Sequence, residues 1–204
     1  MVKWPGLLGL IMLVMTLNFL PSRSSLTPLV ITKVFGKGVA ELGWMETIFD
    51  VGVIIGGLVL SAWGGFIRKI ITSIMGIMGI GAGVVMVGVA PSNMFFLILV
   101  ANFVIGVTQV FANGPLMAIF QTAIEPDMHG RVFSLFSGGA TAMMLLSLLV
   151  AGPISDWLGV RSWYLIGGGL CIPVTLIPFS IPAIMNIERN RHQSPVMPDP
   201  STPV

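Results

Sequence analysis

Charge is what this sequence has least of. Only 9 % of its 204 residues are Asp, Glu, Lys or Arg, against roughly a quarter in an ordinary soluble domain. The hydrophobic set makes up 55 %. A soluble fold of this size has no way to hide so much apolar surface, so the chain is read as a membrane protein. A single cysteine, Cys171, excludes a disulfide framework and a cysteine-based metal site. The two histidines, His129 and His192, stand far apart and form no zinc motif. No metal and no cofactor is expected. The formal charge of +2 is too small to argue for a nucleic-acid partner. There is no P-loop pattern, so ATP-driven transport by this chain is not expected. An intramembrane enzyme needs a cluster of catalytic groups on neighbouring helices. Only Glu46 and Asp50 lie close together, with no nucleophile or metal set beside them, so the chain is read as no enzyme.

The spans are read from where charge is missing. A membrane-crossing helix needs about 20 mostly apolar residues. Trp4 to Ser22 carry no ionisable group; Arg23 interrupts, and Ser24 to Thr32 are again uncharged. Val51 to Ile67 form a second run, with Glu46 and Asp50 just before it. Ile70 to Ile124 are free of ionisable residues, too long for one span. Pro91, Ser92 and Asn93 supply the turn that divides them into helices at about 70–90 and 94–120. Val132 to Ser155 and Ser162 to Ile187 complete the set. The blocks are solidly apolar rather than alternating, which excludes a β-barrel. The first segment also resembles a signal peptide, but the cleavage pattern is missing. The fold class is therefore all-α: a polytopic membrane protein with six transmembrane helices over 1–188. Residues 189–204 are rich in proline and read as a disordered cytoplasmic tail.

Basic loop residues set the orientation. Lys3, Arg68, Lys69, Arg131, Arg189 and Arg191 fall on one side, and Lys33, Lys37 and Arg161 on the other. The larger group places both termini in the cytoplasm.

Two stretches echo each other. Gly57, Ser61, Trp63, Gly64 and Arg68 follow the second span; Gly152, Ser155, Trp157, Gly159 and Arg161 follow the fifth. Three spans separate them, so they fall on opposite membrane faces, as an inverted three-plus-three repeat requires. The plainer alternative is that Gly, Trp and Arg are common at any membrane interface.

Ionisable groups within a membrane are costly unless paired or hydrated, which makes them functional candidates. Arg23 and Asp50 sit at a similar depth if Lys33 and Leu42 mark the outer ends of the first two helices, about 12–15 Å in at 1.5 Å per residue. An Arg23–Asp50 pair that opens on protonation couples proton entry to transport, and Glu46, one turn away, passes protons along. The alternative leaves Arg23 in a loop broken by Pro21 and Pro28, with Glu46 and Asp50 at a wet helix start. The fourth span carries Asn102, Gln109 and Asn113 on one face with Gly106. They form either a substrate-cavity wall or interhelical hydrogen bonds. Gly114 and Pro115 predict a bend or hinge. Gly52, Gly56, Gly79 and Gly83 are spaced for close helix crossings. Glu125, Pro126, Asp127, Gly130 and Arg131 read as a cytoplasmic turn. The 14 methionines read as membrane filler, although methionine can also line an adaptable apolar pocket.

These residues resemble a known family. The spacing Gly152, Asp156, Gly159, Arg161 is similar to the loop signature of the major facilitator superfamily. Gly114, Pro115, Ala118, Gln121, Pro126 and Gly130 to Ser134, with Glu41 to Trp44 and Trp63 to Phe66, resemble its macrolide-efflux and siderophore-exporter branch. The resemblance covers about 1–188 and implies the C-terminal six helices of a twelve-helix bacterial transporter of the cell membrane. Gly64, Gly65, Arg68, Gly114, Pro115, Gly130, Arg131, Gly152, Asp156, Gly159 and Arg161 are then gating or loop motifs. Ala62 stands where the superfamily motif has an acidic residue, which leaves Arg68 and Lys69 a plain anchoring role at lipid headgroups. The resemblance implies efflux of hydrophobic drugs such as macrolides, and proton antiport is the coupling read from Arg23, Glu46 and Asp50. The expected partners are membrane lipid, a small hydrophobic substrate, protons, and a second six-helix half or another copy. The alternative is a truncated remnant that transports nothing.

Overall fold

The computed structural model describes residues 31–32, 35–36, 38–66, 69–123 and 128–180. Among them lie five long α-helices: α1 (Val39–Trp63), α2 (Lys69–Val89), α3 (Phe95–Ala123), α4 (His129–Leu158) and α5 (Val160–Ser180). Four of these, α1 to α4, are long and apolar enough to cross a membrane. The five helices correspond to the second to sixth predicted spans. The first span, Arg23, Arg68, Glu125 to Asp127 and the proline-rich tail lie outside the described residues.

The helix ends follow local chemistry. At the start of α1 the Gly38 N–H donates to Glu41 Oε2 at 3.0 Å, an acidic group placed where the helix dipole favours it. The helix ends at Gly64, whose N–H donates to the Leu60 carbonyl at 2.8 Å. Gly64 and Gly65 both have φ of 76°, the left-handed region that glycine enters without steric cost. The Phe66 N–H then donates to Thr72 Oγ1 at 2.9 Å and ties the loop to α2. Helix α2 stops just before Pro91, as a residue preceding proline is pushed out of helical geometry. Helices α4 and α5 are separated by Gly159 alone, with φ 82° and ψ 152°, a conformation open essentially only to glycine.

Three boundaries differ from the sequence reading. Helix α1 begins at Val39, so Glu46 and Asp50 lie inside it rather than ahead of it. Its early turns carry Leu42, Met45 and Phe49, whose packing extends the helix past the charges. Gly130 and Arg131 are in the first turn of α4 rather than in a loop. Gly152 and Asp156 are also helical, and Arg161 is in the first turn of α5, so the expected loop contracts to Gly159.

Helix α3 lies between α1 and α2, and α2 packs on its other side against α5; α4 meets α5 more sparingly. Glycine makes these contacts backbone to backbone. A Cβ at Gly52 would stand 2.5 Å from the Phe103 carbonyl oxygen, and one at Gly56 2.6 Å from that of Val107. Gly106 answers from α3 against the Phe49 carbonyl. Gly76 of α2 meets the backbone of Ala112 in the same way. This is the small-residue packing of membrane helices, where dispersion rather than the hydrophobic effect holds helices together.

The core sits at one end. Met45 from α1, Val84 and Val87 from α2, Ile98, Ala101 and Ile105 from α3, Ala151 from α4, and Trp163 and Tyr164 from α5 form one buried cluster with Ile31 and Phe35. Arg161 closes this end: its Nη2 donates to the Ala90 carbonyl at 3.0 Å and to Ser92 Oγ at 2.9 Å. It thereby joins the α4–α5 turn to the α2–α3 turn. The α1–α2 loop lies at the opposite end of α2. There Trp63 packs edge-on against Phe66, with centroids 4.8 Å apart, and tilted against Phe111 at 6.4 Å.

Candidate functional site

The polar residues of α3 share one face by helical arithmetic, since steps of seven and eleven residues return within about 20° of the start. Their exposure rises along that face. Asn102 is 0 % exposed and lies at the clustered end. Gln109 is half-buried, and Asn113 is exposed. Ile98, Ala101 and Ile105 are buried at the Asn102 level; on another face of α3, Ala112, beside Asn113, packs against Gly76 of α2.

Asn102 is fixed in orientation. Its Nδ2 donates to the Ile98 carbonyl at 2.9 Å, within the same helix. Its Oδ1 is buried and has no hydrogen-bond partner among the described residues. Among the described residues this amide makes no interhelical hydrogen bond.

On α1, Asp50 is the twelfth residue, about 16 Å along the axis at 1.5 Å per residue. It is exposed, and Glu46 is half-buried one turn earlier. By helical arithmetic both carboxylates lie to one side of the face that Met45, Gly52 and Gly56 present to α3, Glu46 about 100° and Asp50 about 140° from its centre. The wet-helix-start alternative does not describe this placement, since three turns of helix precede Asp50.

The remaining motif residues serve the backbone. Gly64 and Gly65 make the reversal after α1. Gly114 and Pro115 lie within α3, which continues through Pro115 to Ala123. Arg131 and Asp156 are exposed. The residues that sequence reasoning missed are Thr72, which fastens the first loop, and Ser92, which receives Arg161. A hydroxyl six residues beyond a Trp-Gly-Gly-Phe turn was the available signal for Thr72. Cys171 is buried, with its Sγ 4.0 Å from the Ile77 carbonyl. No group of residues able to hold a metal ion occurs among the described residues.

A family model described as Major Facilitator Superfamily matches residues 7–197. The chain belongs to the Major Facilitator Superfamily. Among its relatives in this superfamily, the macrolide efflux protein A of Streptococcus pyogenes is 29 % identical over 154 residues, covering 76 % of this chain and 38 % of that protein. The macrolide efflux protein A of Enterococcus faecalis is 31 % identical over 112 residues, 55 % of this chain and 35 % of that protein. The multidrug efflux pump Tap of Mycolicibacterium fortuitum is 26 % identical over 174 residues, 83 % and 40 % respectively. The chain thus spans about two fifths of the length of the relatives it matches. Membership in the superfamily makes it a multi-pass membrane protein of the transporter class, with efflux relatives in bacteria.

Proposed function

We propose that the chain is the C-terminal, six-helix side of a proton-coupled exporter of hydrophobic drugs, with macrolides among its substrates. The observation that carries this reading is the polar face of α3, buried at Asn102 and open at Asn113. A polar stripe inside a membrane helix faces protein or water rather than lipid. Here it forms one wall of a cavity that a second half completes, since the substrate site of such transporters lies between repeats. The second half is another six-helix unit or another copy. The exposed apolar faces of α1 (Ile54, Leu58) and α4 (Leu145, Leu149) are the surfaces available to it and to lipid.

Asp50 is the coupling carboxylate in this proposal. Deprotonated, it pairs with Arg23; protonated from the outer side, it releases Arg23 and permits the cavity to change sides. Glu46, one turn nearer the helix start, delivers the proton. Gln109 and Asn113 contact the substrate. The positive-φ glycines that follow Trp63 and Trp157 lie at opposite ends of the bundle and support an inverted three-plus-three repeat. Both termini then lie in the cytoplasm, as the basic loop residues favour.

The test is drug accumulation in a macrolide-sensitive bacterium. The chain is expressed alone and together with the N-terminal six helices of a macrolide-efflux relative. Reduced accumulation that a protonophore restores supports the proposal. Unchanged accumulation in both settings refutes it and leaves the non-transporting remnant.

A further inference from the structure

We infer that the flank of α1 lined by Trp44, Val51, Ile55 and Leu58 is a lipid-contact surface, occupied by bilayer acyl chains rather than by another helix. The inference does not depend on the transport reading; it needs only that α1 crosses a membrane.

Helical arithmetic divides the outer surface of α1 into two flanks. Measured from the centre of the face that meets α3, Gly43, Glu46, Asp50, Gly57 and Ser61 lie about 100–160° to one side. Trp44, Val51, Ile55 and Leu58 lie about 80–140° to the other. This second flank is exposed along its length, from Trp44 at 63 % to Leu58 at 64 %. Three observations assign it to lipid. The carboxylates of Glu46 and Asp50 both fall on the first flank, and a carboxylate within a membrane faces protein or water rather than acyl chains. The first flank is thereby withheld from lipid, and nothing of that kind restricts the second. The close helix crossings of this bundle are made at small residues, Gly52 and Gly56 against α3 and Gly76 against Ala112. From Trp44 to Leu58 the second flank carries only branched and aromatic side chains. These hold a neighbouring backbone away, whereas acyl chains fit around them and satisfy them as well as a protein core does. The tryptophans then set the level of the surface. Among the described residues the exposed ones, Trp44, Trp63 and Trp157, all stand within two turns of a helix end, while Trp163 is buried. Trp44 and Trp63 are about 28 Å apart along α1 at 1.5 Å per residue. That matches the roughly 30 Å hydrocarbon core of a bilayer, at whose two borders tryptophan concentrates. Val51, Ile55 and Leu58 lie between those borders.

The experiment is the collisional accessibility of nitroxide labels on the full chain in lipid nanodiscs. Cys171→Ser gives a cysteine-free background, since Cys171 is the sole cysteine. Val51→Cys, Ile55→Cys and Leu58→Cys report the apolar flank, and Gly57→Cys the other. Gly57 and Leu58 are neighbours in sequence, so they share a depth and differ in direction. Oxygen, which concentrates among acyl chains, is expected to collide severalfold more often with labels at 51, 55 and 58 than with the label at 57. A water-soluble nickel chelate is expected to reach none of those three. If Gly57→Cys prevents folding, as read by circular dichroism, Ser61→Cys reports the same flank. Equal oxygen collision on the two flanks overturns the inference. Nickel access at 51, 55 and 58 also overturns it, since that marks water. So does a low rate with both reagents there, which marks a protein cover; spin–spin broadening at those positions identifies that cover as a second copy. None of these outcomes bears on transport, which the drug-accumulation assay decides separately.

Discussion

The crossing of α1 and α3 gives the sharpest quantitative expectation. Gly106→Val places a Cβ against the Phe49 carbonyl oxygen of α1, closer than any real Cβ contact. The obstacle is backbone, so no side chain can rotate away. The helices must separate by about 1 Å to reach ordinary contact, and the dispersion along the seam weakens steeply over such a gap. Overpacking of this kind costs about 1–3 kcal/mol. For a domain of this size, that lowers the melting midpoint by about 2–4 °C per kcal/mol. Gly57→Ala on the same α1 helix is the control, because nothing lies within 4 Å of its Cβ position. The assay is built into the chain. Cys171 is the sole cysteine and is buried between α5 and α2. A thiol-reactive fluorophore therefore reports thermal opening without further engineering. The expected order of midpoints is Gly106→Val well below wild type, and Gly57→Ala at or above it. Equal midpoints for Gly106→Val and wild type would refute the backbone-contact argument.

Other expectations follow from single contacts. Arg161→Met removes the donor to Ala90 and Ser92. The Ser92 bond is exposed and the Ala90 bond part-buried, so the loss is about 1 kcal/mol, with faster amide exchange in the turn at 91–94; Ser92→Ala gives a smaller effect. Gly159→Ala forces a side chain into a φ of 82°, at about 1–3 kcal/mol, readable in the same thiol-labelling melt. In a transporting assembly, Asp50→Asn is expected to abolish proton-linked efflux; proton coupling that persists removes Asp50 from the mechanism. Asn113→Ala or Gln109→Ala is expected to alter which drugs are exported. A changed melting midpoint with unchanged drug preference assigns these two side chains to packing.

The helices were legible because charge marks their limits at a coarse level. Pro91 to Asn93 divided the long uncharged run where α2 and α3 separate. The limit drawn from missing charge failed at Val51, since α1 starts at Val39 and carries Glu46 and Asp50, as the depth reading of Asp50 from Leu42 required. The reading failed again at Gly152 to Arg161, where turn-forming residues suggested a loop. One glycine in a special conformation makes the whole connection, and φ cannot be read from composition. The common face of Asn102, Gln109 and Asn113 was legible from period alone. Their unequal burial was not, because it depends on the cluster of residues from α1, α2, α4 and α5 that forms at only one end.

Helix α4 shows which sequence rule governs this molecule. Its buried residues are Ser147, Ala151 and Ser155, spaced four apart, while Leu145 is 59 % and Leu149 70 % exposed. A soluble helix would do the opposite and turn its leucines inward. In a bilayer, lipid tails satisfy leucine as well as a protein core does, so burying leucine gains little. Close approach then selects the small residues, as at Gly52 and Gly106. The same preference explains why buried polar atoms are found inside. Ser147 Oγ, Ser155 Oγ and Asn102 Oδ1 lie within the bundle because small and polar stripes face other helices. In α4, and where α1 crosses α3, a stripe of small residues therefore locates the inner face more reliably than a stripe of leucines.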